Sequence, residues 1–412
     1  MYHDHHFHPL GYTQLVNGLE LFDARDIDSL LGMVSEFGES RDGPIVGQRV
    51  NDETLADGRL PTRTDIDDVV SDRPVFLYRY CGHVAMANSV ALELSRVDET
   101  TPDPEGGSID RDHSGRPTGV LREDAIGLVA DVLAPRVEQP TDEEVLSALA
   151  GLIDLGLGSV TGIVAASDPM WCGVGDELET ICRLAPELPI DMLLYVTADD
   201  PAALTLAATR IETAGGRIQF GGWKDWSDGS FGGRTAAMYQ PYTDDPSELG
   251  MVRLRHEHAI TMGETSLGLG GGVALHAIGD RANDMVLDIH EDLIGRGADP
   301  SKLRIEHASI LTEAAVDRMA RLGVTASVQP AFLASEEDWL LRRLGDERMN
   351  RVYPFRSLAE AGVTLLGGSD APVENPDPEI GISSAVHRHG INPTESVSRS
   401  VAQSWFRPPV FL

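Results

Sequence analysis

From about residue 140 onward, short apolar runs alternate with stretches whose apolar residues recur every three or four positions. The first pattern predicts buried strands and the second amphipathic helices, and their alternation predicts parallel α/β units. TDEEVLSALAGLIDLGLGSVTGI, residues 141–163, shows one unit. Thr141 and Glu144 form a capping-box pattern, Val145, Ala148, Leu149 and Leu152 recur at helical spacing, and Gly156 and Gly158 end the helix before a short SVTGI strand. PIDMLLYVTA, RIQFGGWKDW, GGVALHAIGD, KLRIEHASI, GVTASVQPA and GVTLLGGSDAP each read as a strand running into a polar or glycine-rich loop. ANDMVLDIHEDLIGRG and TEAAVDRMARLG read as helices between them.

A closed parallel barrel is the economical arrangement for such a series, with function in the loops at the strand C-termini. The first half is less regular. Residues 35–75 and 98–118 are rich in Asp, Gly, Pro and Arg and read as long loops or insertions, while DRPVFLYRYCGHVAMANSVALEL, residues 72–94, reads as a strand, a turn and a helix. No internal repeat, low-complexity linker or clean domain boundary is visible.

The strand ends carry the chemistry. His6 and His8 in MYHDHHFHPLGY are separated by one residue, so an extended strand with a side-chain period of two points both the same way. His3 and His5 fall on the opposite face and read as bystanders. Lys224 ends RIQFGGWK, His276 ends VALH, His307 ends LRIEH and Asp370 ends VTLLGGSD, all where a barrel gathers its catalytic groups. Imidazole and carboxylate suit zinc and similar divalent ions, and three or four such ligands with an open position make a hydrolytic site. A metal lowers the pKa of bound water from about 15.7 toward 7. An aspartate beside that water can take its proton and pass it to a leaving nitrogen, and Asp370 is the candidate. Taken singly, each residue has a structural reading: a satisfied core histidine, a paired lysine, a turn-capping aspartate. Their joint placement at strand ends favours the site. His83 in RYCGHVAMANS reads equally as a substrate contact or a turn histidine, and Arg234 in DGSFGGR as a carboxylate binder or an ion-pair partner. His256, His258, His290, His387 and His389 lack strand-end context and read as surface residues.

Composition narrows the class. The chain of 412 residues carries 66 acids against 33 bases, a formal charge of −33, and its only lysines are Lys224 and Lys302. Such a surface repels nucleic acid and anionic membranes. The acid-rich, lysine-poor balance resembles proteins of salt-accumulating halophiles, in which the Debye length falls to about 3 Å at 1 M salt and screens self-repulsion. Cys81, Cys172 and Cys182 are odd in number and lack a CxxC, which reads as free, semi-buried thiols instead of a disulfide framework or zinc knuckle. No apolar stretch reaches the length of a membrane span, and the N-terminus lacks signal-peptide character, so a cytoplasmic location is expected.

The ordered set DHHFHPLGY, DRPVFLYRYCGH, WKDWSDGSFGGRTAAM, ALHAIGDRAND, RIEHASIL and LLGGSDAPVENPDP resembles the amidohydrolase superfamily. More narrowly, it is similar to the amidohydrolase family 3 branch that includes N-substituted formamide deformylases. The resemblance runs to about residue 395. It implies a distorted (β/α)8 TIM-like barrel over 1–395, with insertions in its first half and a divergent tail at 396–412. The family's small terminal β-sandwich is expected to be largely missing, and Cys81 stands where an acidic residue is expected. Carried over by position, the metal ligands are His6, His8, Lys224, His276, His307 and Asp370. Lys224 is carbamylated in the two-metal version, and a mononuclear site on the histidines and Asp370 is the alternative. The implied cofactor is a divalent metal, zinc foremost, as one or two ions. The implied reaction is hydrolysis of an amide, formamide or cyclic amide C–N bond, with Asp370 and Lys224 as catalytic groups and His83 and Arg234 on the substrate side. The expected partner is a small molecule, with no nucleic acid and no membrane, and a homo-oligomer stays open. The competing reading is a truncated, inactive barrel that binds metal or a small molecule.

Overall fold

The computed structural model describes residues 1–39, 43–166 and 176–409. The described residues fall into two compact units, one drawn from residues 1–9, 146–166 and 176–409, the other from 10–39 and 43–145.

The first unit is an eight-stranded parallel barrel. Its strands are β1 (Tyr2–Phe7), β2 (Leu157–Ala165), β3 (Asp191–Thr197), β4 (Ile218–Trp226), β5 (Gly272–Ala277), β6 (Leu303–His307), β7 (Thr325–Val328) and β8 (Leu365–Gly367), hydrogen-bonded in that order. Closure comes just beyond β8: Phe7 bridges Ala371 in parallel, the Asp370 N–H donates to the His6 carbonyl at 2.7 Å, and the His8 N–H donates to the Ala371 carbonyl at 2.9 Å. Strands covered on both faces read as continuous apolar runs, and every residue of β5 and β6 is buried. All seven strand segments read from the sequence after residue 140 are found.

The helices between them follow local signals. Thr312 accepts a hydrogen bond from the Ala315 N–H at 3.1 Å and caps Glu313–Leu322, which Gly323 terminates at φ +75°. Thr141 and Glu144 exchange both bonds of the capping box, at 2.8 and 3.2 Å. β8 is shorter than GVTLLGGSDAP suggests and ends at Gly367, though the Val328 carbonyl still accepts the N–H of Gly368 at 3.0 Å. A Cβ there would lie 2.6 Å from the His6 nitrogen and 2.9 Å from Asp4 Oδ1, so this approach to β1 needs glycine. After residue 396 the chain forms the helix Arg399–Ser404 and packs back: the Trp405 carbonyl accepts the Gly367 N–H at 2.9 Å, and the Phe406 carbonyl accepts the His3 N–H at 2.8 Å.

The second unit holds a six-stranded mixed sheet in the order Leu19–Glu20, Ile45–Val50, Val75–Arg79, Val84–Ala87, Pro117–Glu123, Gly107–Arg111. Alternation along VFLYR divides its core: Val75 and Leu77 pack with Leu30, Val34 and Ile45 on one face, Phe76 and Tyr78 with Leu121, Val129 and Leu133 on the other. The stretches read as loops at 35–75 and 98–118 contain the strands Ile45–Val50 and Gly107–Arg111 and the helix Arg63–Asp67. The strand, turn and helix expected over 72–94 contain one more strand, Val84–Ala87, antiparallel to the first. Short strands broken by Gly, Asp and Arg leave little periodicity to read. Cys81 and Cys182 are free and partly buried, and Cys172 lies outside the described residues. Among the described residues no helix is long and apolar enough to cross a membrane.

Candidate metal centre and active site

The end of β1 and the loop after β8 meet at three side chains. His6 Nε2 lies 3.1 Å and His8 Nε2 3.0 Å from the same oxygen, Asp370 Oδ1. All three residues are buried, and their ligand atoms lie within 4.8 Å of one another. Asp370 adopts φ +61°, a left-handed conformation that aspartate tolerates better than most residues and that turns its carboxylate toward β1. The loop is fixed from below by Asp4, whose carboxylate accepts the His6 N–H at 3.0 Å, the Ser369 N–H at 3.1 Å and the Ser369 hydroxyl at 2.5 Å.

β6 delivers a third imidazole by a strained route. His307 has φ +72°, costly for a side chain with no local hydrogen bond to offset it, and residues held this way cluster at functional sites. Its ring centroid is 5.0 Å from that of His6 and 4.4 Å from that of His276, and Phe332 stacks on it at 6.0 Å and 11°. His307 Nδ1 is buried without a hydrogen-bond partner. His276 donates from Nε2 to the Gly229 carbonyl at 3.0 Å and lies 3.4 Å from Asp228 Oδ1. Lys224 is buried, its Nζ 3.9 Å above the Trp226 ring and 3.4 Å from the Asp225 carbonyl. His6, His8 and Asp370 thus form a tight cluster, with His307 ring to ring beside His6 and His276 beside His307.

Burial dominates the electrostatics. It pushes the Lys224 ammonium down to about 8 and the His307 imidazole down to about 3, and it lowers His8. Burial alone would also lower His6, but the Asp370 and Glu306 carboxylates outweigh it and raise that imidazole. Against the upward pull of burial, His6 and His8 hold the Asp370 carboxyl well below the usual carboxylate range.

Three carboxylates escaped the sequence reading. Glu306 is fully buried and accepts from His6 Nδ1 at 2.5 Å, Asp4 ties β1 to the Asp370 loop, and Asp228 accepts the Ile278, Gly279 and Ala237 N–H groups at 3.0, 2.8 and 2.9 Å. Their signal was adjacency: Glu306 precedes His307, and Asp4 sits between the histidines. His3 bonds Ser159 and Thr161 at 2.7 and 2.9 Å, and His5 the Arg407 carbonyl at 3.0 Å, both away from the cluster as expected. His83, in the second unit, bonds Glu123 Oε2 at 2.9 Å. Arg234 forks onto Asp244 at 3.0 and 3.3 Å. The surface reading of His290 is corrected, for it is fully buried, on the stripe Asn283, Val286, Leu287, His290, Leu293 of the helix Asp280–Gly295. The helical period that marked the helix also marks this face.

Two imidazoles and a carboxylate within one ligand sphere, beside a buried imidazole nitrogen with no partner, fit a divalent ion. Presented at the strand ends of a parallel barrel, this donor set defines an α/β-barrel hydrolase with a candidate metal centre. The chain belongs to the amidohydrolase family, whose sequence pattern matches residues 3–402. It is 32% identical over 392 residues to the putative amidohydrolase YtcJ of Bacillus subtilis (strain 168), covering 93% of this chain and 72% of that protein. It is 27% identical over 362 residues to the N-substituted formamide deformylase of Arthrobacter pascens, covering 84% of this chain and 66%, just under two thirds, of that one. Among solved structures, an uncharacterized metal-dependent hydrolase from Pyrococcus horikoshii OT3 superposes with a TM-score of 0.74 at 30% identity, over 98% of this chain and 79% of the other.

Proposed function

We propose that the protein is a metal-dependent amidohydrolase that cleaves a non-peptide C–N bond of a small amide, formamide or cyclic amide. The observation that carries this reading is the convergence of His6 Nε2 and His8 Nε2 on one oxygen of Asp370. The Arthrobacter pascens relative, by its name, deformylates N-substituted formamides, which supports the bond class. His6, His8 and Asp370 would hold one divalent ion, zinc foremost, with His276, His307 and Lys224 completing a one- or two-ion site. Bound there, the ion would supply Lewis acidity to the carbonyl and make a water acidic.

Asp370 takes a proton from the attacking water as its oxygen bonds to the carbonyl carbon. It then delivers that proton to nitrogen as the C–N bond breaks, leaving a carboxylic acid and an amine. The Asp370 carboxyl, held ionised by the two imidazoles, enters as the base. Lys224, with its amine pushed down to about 8 by burial, is partly neutral near neutral pH and can add to carbon dioxide. Nitrogen bonds the carbon, a proton leaves, and the resulting carbamate is an oxygen ligand that an ammonium cannot be. Arg234 is proposed as a substrate-side group, oriented by the Asp244 carboxylate.

The test is amine release from a panel of N-formyl and N-acyl amines, using protein stripped by chelator and reloaded with zinc or manganese. Asp370→Asn, assayed at a metal concentration that fills its site, should lose at least ~10²-fold in turnover, the scale of a general acid–base group. Native-like turnover in that variant would sink the assignment, and no turnover by metal-filled native protein would leave a metal-binding barrel instead.

A further inference from the structure

β6 carries two charged residues inside the barrel wall, immediately before the strained His307. Arg304 and Glu306 are both buried, the latter completely, and they form an ion pair with each other. A buried ion pair is a poor source of stability, because desolvating both charges cancels most of their attraction. Its connections suggest what it does instead. Glu306 Oε2 lies 2.5 Å from His6 Nδ1. Arg304 donates from Nη2 to the His5 carbonyl at 3.0 Å and lies over the Tyr195 ring at 4.4 Å. One pair therefore grips both the side chain of His6 and the backbone just before it, from a different strand. In register, Glu306 sits beside His276 of β5, at the level of the candidate ligands.

An imidazole has one lone pair to give only when its other nitrogen carries the proton, and a carboxylate facing Nδ1 fixes the proton there. His6 Nε2, the atom 3.1 Å from Asp370, is then left as the acceptor. Arg304, ion-paired with Glu306 inside the barrel wall, favours its carboxylate form, which can only accept. We infer that Glu306, supported by Arg304, is a positioning residue that fixes the tautomer and ring orientation of His6 and thereby sets the affinity of the site for its divalent ion. This rests on the metal-centre reading above.

The experiment measures the Zn²⁺ dissociation constant of the stripped full-length protein by competition with a chromophoric chelator, with circular dichroism and thermal midpoint recorded alongside. Glu306→Gln keeps the shape and an acceptor oxygen but not the charge, and should weaken Zn²⁺ binding about 10-fold, within the 10- to 100-fold range of such outer partners. The paired replacement Arg304→Met with Glu306→Met removes both charges without stranding either, so the barrel can fold, and should weaken binding about 100-fold because Nδ1 then has no acceptor. Cobalt-loaded Glu306→Gln should also shift its visible ligand-field bands, which a purely structural role would leave in place. Native-like Zn²⁺ affinity in both folded variants overturns the inference. Loss of Zn²⁺ binding in His6→Ala alongside that result would leave the metal centre standing, whereas native protein that binds no Zn²⁺ overturns both.

Discussion

Replacing His290 by leucine should make the protein more stable and less sensitive to acid. The imidazole is fully buried on the inner stripe of the helix Asp280–Gly295, and neither ring nitrogen has a hydrogen-bond partner. Burial alone pushes its pKa from 6.5 down to about 3, so the folded protein keeps it neutral where the unfolded chain protonates it. Between about pH 6.5 and 3 the unfolded state therefore binds the extra proton, and stability falls as pH falls. At 1.36 kcal/mol per pH unit, the loss from this one residue is about 2 kcal/mol at pH 5 and about 3 kcal/mol at pH 4. At pH 7 leucine, similar in volume and a better helix former, should add a further ~1–3 kcal/mol by removing unpartnered polar atoms. Urea unfolding of native protein and His290→Leu at pH 7 and pH 5 reads both effects. Equal losses of stability in the two proteins between those pH values would rule out a buried neutral His290, since the difference isolates this group from the other buried histidines.

Asp4→Ala should remove the acceptor for the His6 N–H and for the Ser369 N–H and hydroxyl, costing ~3 kcal/mol by denaturant unfolding and weakening Zn²⁺ binding together; a neutral result would deny Asp4 its bracing role. If Lys224 is carbamylated, zinc content by atomic absorption should rise toward two per chain when metal is restored with bicarbonate and stay near one without it. Stoichiometry indifferent to bicarbonate and to Lys224→Ala would exclude the modification. With a formal charge of −33, the thermal midpoint should climb as potassium chloride is raised to about 1–2 M, where screening reaches ~3 Å; a flat or falling midpoint would contradict the halophile reading.

The barrel was legible because most strands of the second half are buried apolar runs bounded by polar turns, and the helices carry their own caps, as Thr141, Thr312 and Gly323 show. The convergence of His6, His8 and Asp370 was legible because a parallel barrel gathers its strand ends on one face. Glu306 and Asp4 were not, since an acid inside a strand looks like a solvent-facing alternation until the barrel closes around it. His307 would face away from the site by strand parity with Glu306. Only its positive φ brings it in, and no sequence period encodes that. The second unit was obscured by strands too short and too broken by Gly, Asp and Arg to show a period. His290 was misread by residue type, although its spacing from Asn283, Val286 and Leu287 placed it inside.

If the proposed function is right, His6, His8 and Asp370 hold a divalent ion. Crystals of zinc-loaded protein measured on either side of the zinc absorption edge test it most directly. An anomalous peak should appear about 2.0–2.2 Å from His6 Nε2, His8 Nε2 and an Asp370 oxygen. Full zinc occupancy elsewhere in the chain, with none between these three side chains, would contradict it.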